Sequence, residues 1–206
     1  MSEQYYTREP SCESKIVPCR VAYRGQELLF DTDAGVFSKG ELDQGTRLLL
    51  DALPPLCGDV LDLGCGWGAI GVSVAKANPD CRVVMADVNL RALALAEKNA
   101  ASSGVRVRCV ESDGMAALEG SRFDAVVTNP PIRAGKQVIY RMFADAARSL
   151  TPTGALYLVI RKQQGAESCM KYLGTLFAQV DKLDKSAGFW VIRASRAFSP
   201  APDQRA

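Results

Sequence analysis

The chain has 206 residues, of which 48% are hydrophobic and 23% charged, and its formal net charge is +2. These values are ordinary for a soluble globular domain, and so small a charge does not by itself indicate a nucleic-acid partner. The N-terminus carries no secretion signal, and no apolar run is long enough to cross a membrane, so we expect a cytoplasmic protein.

The sequence contains seven cysteines and no histidine. The cysteines are odd in number and form no C-x-x-C pair, so the common zinc spacings are absent. We therefore predict reduced, mostly buried thiols and no metal site. The lack of imidazole also excludes the Ser-His-Asp and Cys-His mechanisms of hydrolysis.

The first part of the chain predicts a hairpin and a helix beside a larger domain. Residues 1–19 are polar, and we expect them to be loosely ordered. The elements predicted next are two strands across 20–30 that turn at Arg24-Gly25, a glycine-containing loop over 31–40 and a helix over 42–53. We expect residues 20–58 to pack on a domain formed by 59–196, with a tail over 197–206.

From residue 59 onward, strand and helix patterns alternate. Predicted strands cover 60–63, 82–87, 105–110, 123–128 and 155–160. One predicted helix follows the glycine-rich stretch and ends near Asn78, and the others cover 90–102, 137–150 and 166–177. Two further strands, over 179–183 and 189–194, are predicted to form a last hairpin. This alternation predicts an α/β fold with a doubly wound, Rossmann-like sheet. The sheet is expected to be mostly parallel, with the C-terminal hairpin antiparallel.

The glycine-rich stretch after the first of these strands supports two chemistries. Gly66–Gly71 matches G-x-G-x-x-G, and Asp87 lies near the position of a ribose-binding acid, which indicates a nicotinamide oxidoreductase. Alternatively, Asp62 stands just ahead of the first glycine of a G-x-G-x-G run that starts at Gly64. A carboxylate there suits a ligand with an ammonium and a sulfonium, such as S-adenosylmethionine, and repels a pyrophosphate.

A second candidate site follows the β-branched strand over 123–128. That strand stops at Asn129-Pro130-Pro131, and neither proline can donate a backbone hydrogen bond. In open α/β sheets, ligands bind just beyond the carboxyl ends of the strands. The Asn129 amide is therefore expected to face a ligand, unless Asn129 only initiates a turn before the prolines.

Taken together, these motifs resemble a known family. The residues 62–68, Asp87, Ser112-Asp113-Gly114 and Asn129-Pro130-Pro131 resemble a class I S-adenosylmethionine-dependent methyltransferase. The stretches 35–39, 42–46 and 129–136 are similar to the methyltransferase small-domain group, typified by the bacterial ribosomal RNA small-subunit methyltransferase C family, which acts on guanine N2.

The resemblance implies a role for each motif residue. It implies S-adenosylmethionine as cofactor, with Gly64, Gly66 and Gly68 under its methionine part, Asp62 near its amino group, Asp87 at the ribose hydroxyls and Asp113 at the adenine amine. The catalytic motif would be Asn129, Pro130, Pro131 and Ile132, with the Asn129 side-chain oxygen and the Pro130 carbonyl holding the target nitrogen. The residue after the prolines is usually an aromatic that stacks on the base, so Ile132 departs from the pattern, and Phe37, Trp67 or Phe198 is the candidate substitute.

The distribution of charge bears on the substrate. Residues 128–165 hold six basic side chains against one acid, a balance of +5 that begins at the Asn-Pro-Pro corner. This cluster, with Arg133 and Lys136 as the first candidate contacts, favours RNA as partner, and ribosomal RNA is what the resemblance implies. The alternatives are a protein glutamine-amide N-methyltransferase, a nicotinamide-dependent oxidoreductase and a non-catalytic RNA-binding fold.

Overall fold

A seven-stranded sheet forms the centre of the molecule, and a separate two-stranded hairpin stands beside it. The computed structural model describes residues 8–198, so the predicted ends at 1–7 and 199–206 lie outside the described residues. The strands are β1 (Val17–Tyr23), β2 (Gln26–Thr32), β3 (Asp59–Leu63), β4 (Arg82–Asp87), β5 (Val107–Glu111), β6 (Phe123–Thr128), β7 (Leu150–Arg161), β8 (Phe177–Ser186) and β9 (Phe189–Ala197). The helices are α1 (Gln44–Ala52), α2 (Ala69–Ala77), α3 (Leu90–Ser102), α4 (Lys136–Ser149) and α5 (Ala166–Leu173).

The sheet is doubly wound, as predicted, and the structure gives its strand order as β5-β4-β3-β6-β7-β9-β8. Pairs from β5 to β7 are parallel, and β9 runs antiparallel to both of its neighbours, which confirms the predicted fold class. The chain winds from β3 outward to β5 and then returns to the other side at β6. The carboxyl ends of β3 and β6 thus form the switch point at which such sheets bind ligands.

Two apolar layers cover the faces of the sheet. Helices α1, α2 and α3, together with the hairpin, pack on one face, while α4 and α5 pack on the other. Because both faces are covered, the central strands are apolar at nearly every position: in β3, Val60 joins the first layer and Leu61 the second. Burying each side chain of this size contributes about 1.5–3 kcal/mol.

The N-terminal hairpin turns at the predicted dipeptide and is tied to the main domain. Arg24 and Gly25 have φ angles of 46° and 76°, the left-handed pair that a two-residue hairpin turn requires. The buried Asn99 of α3 accepts from the Asp31 N–H (2.8 Å) and donates to the Asp31 carbonyl (2.9 Å) and the Trp67 carbonyl (2.8 Å). One side chain therefore joins the hairpin, α3 and the glycine loop.

The predicted element limits differ most from the structure at the end of α5 and the start of β7. Helix α5 ends at Leu173 instead of residue 177, because Gly174 closes the last turn on the Met170 carbonyl and Phe177 is needed as the first, buried residue of β8. Strand β7 begins at Leu150, five residues before its predicted start, where it pairs with Phe123 ahead of an irregularity in register. Within residues 8–198, no helix combines the length and apolarity needed to span a bilayer.

Candidate active site

Two neighbouring cavities lie at the carboxyl ends of the central strands. The first has a volume of about 400 Å³ and follows the glycine loop and the ends of β4 and β6. The second, about 510 Å³, extends towards the end of β7 and the start of β9. Residues common to both walls are Val36, Phe37, Ser38, Asp43, Asn129 and Pro130. A ligand in one cavity would therefore adjoin a ligand in the other at the Asn-Pro-Pro corner.

The glycine loop forms one wall of the first cavity. Gly64 and Gly66 line it with φ angles of 75° and 55°, and a Cβ placed on either would meet no atom within 4 Å. The loop is held against β4, because the N–H groups of Gly64 and Cys65 donate to the Ala86 carbonyl (2.8 and 3.0 Å). Backbone thus borders open space at both glycines, as the sequence predicts for a loop that a ligand approaches closely.

Gly68 and Asp62 lie behind this loop, outside the wall of the cavity. A Cβ on Gly68 would stand 3.2 Å from the Ala96 backbone, so this glycine allows α2 and α3 to pack closely. Asp62 is 1% exposed, and its Oδ2 accepts from the Gly71 N–H at 2.8 Å. In the structure Gly68 therefore serves helix packing and Asp62 holds the first turn of α2, while their contacts with the cofactor stay predictions.

The buried carboxylate of Asp62 nevertheless lowers the electrostatic potential at the glycine loop. Its buried Oδ1 has no hydrogen-bond partner in the described part of the chain. Burial, opposed by the Gly71 hydrogen bond and reinforced by the charge of Asp87, raises the pKa of Asp62 to about 7. A cationic ligand above the loop would relieve this unfavourable pair of carboxylates, whereas a pyrophosphate would worsen it.

Asp87 lies at the end of β4, on the wall of the first cavity, as predicted. Its Oδ2 accepts from the Gly66 N–H (2.8 Å) and its Oδ1 from the Asn89 N–H (2.9 Å). Burial raises the pKa of Asp87 above its ordinary value, although these backbone donors oppose the shift. Each oxygen keeps acceptor capacity for a further donor such as a ribose hydroxyl.

Asp113 marks the rim of the same cavity. Its carboxylate forms an exposed ion pair with Arg141 of α4, at 3.0 and 3.2 Å from the Nη2 atom. Both residues line the cavity, next to Ser112, whose N–H donates to the Asp87 carbonyl at 2.9 Å. The predicted Asp113 is thus at the cavity, with a charged partner that the sequence did not indicate.

Asn129 is held by the first turn of α1. Its Nδ2 donates to Asp43 Oδ2 (3.0 Å) and to Thr46 Oγ1 (2.9 Å). Because a carboxylate only accepts, the amide must turn its nitrogen towards Asp43, which settles the choice between the two amide orientations. The Oδ1 atom accepts no hydrogen bond from any group in residues 8–198, and Asn129 lines both cavities. The arrangement leaves an acceptor at the junction.

The rest of the predicted motif is divided between the cavities. Pro130 is buried in the wall that the two share, and Pro131 lines the first. Ile132, which stands where related enzymes usually have an aromatic residue, begins a short 3-10 turn and lines the second cavity. Of the candidate substitutes, Phe37 lines both cavities; Trp67 is 3% exposed and lines the first; and Phe198, after β9, lines neither.

The second cavity contains residues that the sequence did not indicate as site residues. Phe189, at the start of β9, is 7% exposed, and the Arg161 guanidinium carbon lies 4.7 Å from its ring centroid. Gln164 and the predicted Arg133 also line this cavity, whereas Lys136 does not and has its Nζ 5.1 Å from the Tyr140 ring centroid. The predicted basic cluster is thus divided among several places. Arg133 and Arg161 line the second cavity, whereas Arg148 pairs with Asp145 in the last turn of α4.

The loop that carries Phe37 is fixed by side chains of α3 and the glycine loop. Asn89 Nδ2 donates to the Gly35 carbonyl (3.0 Å), Arg91 Nη1 to the Ala34 carbonyl (2.8 Å) and Trp67 Nε1 to the Phe37 carbonyl (2.9 Å). These bonds join the segment before α1 to the start of α3 and to the glycine loop, which lie 30 to 57 residues later in the chain. No local sequence signal connects them.

Comparison with known proteins relates this site to a family. Residues 27–193 match the methyltransferase small domain. The chain is 40% identical over 200 residues to the uncharacterized protein YbxB of Bacillus subtilis, covering 95% of this chain and 100% of that protein. It is 34% identical over 183 residues to the ribosomal RNA small subunit methyltransferase C of Vibrio cholerae, covering 85% of this chain and 52% of that protein.

Solved structures also relate the chain to ribosomal RNA methyltransferases. The Thermus thermophilus 16S rRNA N2 G1207 methyltransferase, in complex with AdoMet and guanosine, matches with a TM-score of 0.81 and 30% identity over 91% of this chain and 52% of that chain. A ribosomal protein L11 methylase from Lactobacillus delbrueckii, at 20% identity and a TM-score of 0.63, shares the fold. The chain therefore spans about half the length of the matched RNA methyltransferases and all of the Bacillus protein.

The first cavity fits S-adenosylmethionine, the cofactor expected from the sequence. Its volume lies within the ~300–1,000 Å³ typical of small-molecule sites. The open space above Gly64 and Gly66 admits a ligand against backbone, and the orphaned Asp62 Oδ1 below them favours positive charge. These features, with the family match, decide against the nicotinamide oxidoreductase that the G-x-G-x-x-G pattern alone indicates.

Proposed function

Because the chain belongs to the methyltransferase small domain family of S-adenosylmethionine-dependent methyltransferases, we propose that it methylates the N2 amine of guanine in ribosomal RNA. The observation that carries this proposal is the orientation of Asn129. Its nitrogen is engaged by Asp43 and Thr46, so that its oxygen is the atom available to a substrate. An acceptor at that point suits a target nitrogen that carries hydrogens.

The arrangement suits an amine that is a poor nucleophile. The lone pair of an exocyclic amine is delocalised into the base, and the amine carries two N–H groups. Asn129 Oδ1 and the Pro130 carbonyl accept one each, which holds the nitrogen in place and favours a pyramidal geometry. Such positioning is worth up to ~7–11 kcal/mol in well-oriented intramolecular reactions.

The cofactor, when bound in the first cavity, supplies a methyl group on a sulfonium. As the nitrogen–carbon bond forms and the carbon–sulfur bond breaks, positive charge passes to the amine, which then releases a proton to water. No strong base is needed, which agrees with a chain that lacks histidine. In this proposal Gly64 and Gly66 border the methionine part, Asp87 accepts from the ribose and Asp113 lies at the adenine.

The second cavity supports a nucleobase as the substrate. It adjoins the first at Asn129 and Pro130, and it is walled by Phe37, Phe189 and Ile132, which offer apolar and aromatic contacts. Arg133 and Arg161 stand in the same wall, where their charge suits the phosphates that flank a base. The relatives named for 16S or small-subunit ribosomal RNA support the RNA assignment.

A labelling experiment tests the proposal. The protein is incubated with methyl-labelled S-adenosylmethionine and small ribosomal subunits, and RNA and protein fractions are then separated and digested. We expect label in N2-methylguanosine, accumulating about 10²–10³-fold more slowly when Asn129→Ala replaces the wild type. Label in N-methylglutamine would instead establish the protein methyltransferase alternative, and label in another nucleoside would refute guanine N2 as the target.

A further inference from the structure

Asp43 occupies the junction of the two cavities and uses only half of its carboxylate. As the N-cap of α1, its Oδ2 accepts from the Thr46 N–H (3.0 Å) and from Asn129 Nδ2 (3.0 Å). Its Oδ1 accepts no hydrogen bond within residues 8–198, although Asp43 is half-buried and lines both cavities. A charged acceptor is thus left at the point where the substrate must bind.

Asp43 also lies against the wall of the second cavity. A methyl group added to Gly45 would stand 3.0 Å from Asp43 Oδ2 and 2.9 Å from Phe189 Cε1, so both side chains closely approach the same point of α1. Phe189 is the aromatic residue under the Arg161 guanidinium. A base in this cavity would therefore border both the Phe189 ring and the Asp43–Asn129 pair.

The chemistry of guanine matches this pair of acceptors. On its Watson–Crick edge the N2 amine adjoins the N1–H, so donors stand side by side. An amine held by Asn129 Oδ1 would place the N1–H next to the side chain that holds Asn129. We propose that Asp43 selects guanine: its Oδ2 orients the Asn129 amide, and its Oδ1 accepts the N1–H of the target base.

This inference rests on the proposed function and adds a reason for its selectivity. A purine with a 2-amine but no N1–H, such as 2-aminopurine, presents a lone pair at N1 instead. The Asp43 carboxylate would repel that lone pair and would itself remain unpaired. Contacts of this kind discriminate between bases by about tenfold or more.

The test compares guanosine with 2-aminopurine riboside, each titrated by NMR into the protein saturated with S-adenosylhomocysteine. We expect the wild type to bind guanosine at least about tenfold more tightly. In Asp43→Asn, the amide oxygen can replace Oδ2 towards Thr46 and Asn129, while its nitrogen presents a donor to the base. Asn caps helices as well as Asp, so the fold is expected to persist, and the preference should reverse.

Thr46→Val is the matched control, because it removes the second acceptor for Asn129 Nδ2 but leaves Asp43 in place. We expect it to weaken binding of both nucleosides equally, with their ratio unchanged. If Asp43→Asn leaves the ratio as in the wild type, or if the wild type binds the two nucleosides equally or not at all, the inference is overturned. Guanine N2 methylation is identified separately by the labelled product, so it stands or falls on its own result.

Discussion

The two cavities differ in how they are built. The first is assembled mainly from the residues that follow β3, β4, β5 and β6, and backbone forms the glycine part of its wall. The second combines the loop before α1, the turn after Pro131, the end of β7 and the start of β9. Asn129 and Pro130 belong to both, so one corner serves two sites of different origin.

This difference separates a general site from a specific one. A cofactor shared across a family can be held by strand ends, which the sheet places in register whatever the loops contain. A substrate needs side chains that distinguish it from similar molecules, and these come from segments that can vary independently of the sheet. We therefore expect substitutions in the first cavity to change cofactor affinity and those in the second to change substrate choice.

The largest expected effect lies at the shared corner. Asn129→Ala removes the acceptor for the target amine, and we expect kcat to fall by about 10²–10³, by analogy with the loss of one preorganised contact. Cofactor affinity should change little, since the amide nitrogen of Asn129 bonds to α1. Turnover and calorimetric binding, measured on one preparation, check both statements.

Asn129→Asp refines this test. It sets a second carboxylate against Asp43, whose Oδ2 is 3.0 Å from the Asn129 nitrogen. We expect strongly reduced activity at neutral pH and partial recovery when Asp43→Asn is added, because one amide then donates to one carboxylate again.

A thermal midpoint that falls in Asn129→Ala while turnover per folded molecule stays intact would make Asn129 a turn residue only.

The next largest expected effect is on the free energy of unfolding, and it comes from Asp62, which is buried behind the glycine loop. The folded-state pKa of Asp62, about 7, exceeds its ordinary value, so the folded protein binds this proton more tightly than the unfolded chain. The free energy of unfolding therefore falls as the pH rises from about 4 to about 7. Asp62→Asn removes this contribution, and its stability relative to wild type should rise by about 3 kcal/mol between pH 5 and pH 8.

Urea unfolding of both proteins at the two pH values measures that change. The other titrating groups are common to wild type and variant, so their contributions cancel in the difference. A difference that is the same at pH 5 and pH 8 would show that Asp62 titrates at its ordinary pKa. Because Asn has nearly the same shape as Asp, the variant should fold, while its affinity for the cationic cofactor is expected to be lower.

Asp87 gives a smaller effect that is confined to the first cavity. Asp87→Ala leaves the Gly66 N–H and the proposed ribose hydroxyls without an acceptor, and we expect cofactor affinity to weaken by about 1–3 kcal/mol. Calorimetry with S-adenosylhomocysteine measures it. Asp80→Ala, in the exposed turn before β4, is the matched control and should bind as the wild type does. Equal affinities would remove Asp87 from the site.

The smallest effect belongs to the phosphate contacts proposed at the second cavity. Arg133→Ala should lower the slope of log affinity against log salt for RNA by about one unit. Arg148→Ala is the control, because that arginine pairs with Asp145 at the far end of α4. Filter binding across a salt series compares the three proteins. Equal slopes would place the RNA on another surface.

The sequence by itself determined the sheet, the glycine loop and the Asn-Pro-Pro corner. These depend on short-range patterns: β-branched runs, glycines where backbone must face open space, and prolines that cannot donate. Helix and strand limits that depended on tertiary packing were less accurate, as at the end of α5 and the start of β7. There, a buried contact with a distant strand outweighs local preference.

Only the tertiary structure decided which residues share the site. Asp43 and Thr46 meet Asn129 across more than eighty residues of chain, and Phe189 joins the same wall from β9. The tertiary structure also places Asp62 and Gly68 behind the glycine loop. Asp62 lies there because side chains of a strand alternate between the faces of the sheet, and Gly68 because α3 packs closely against it. Such contacts arise from how helices and loops pack on the sheet, and no local spacing encodes them.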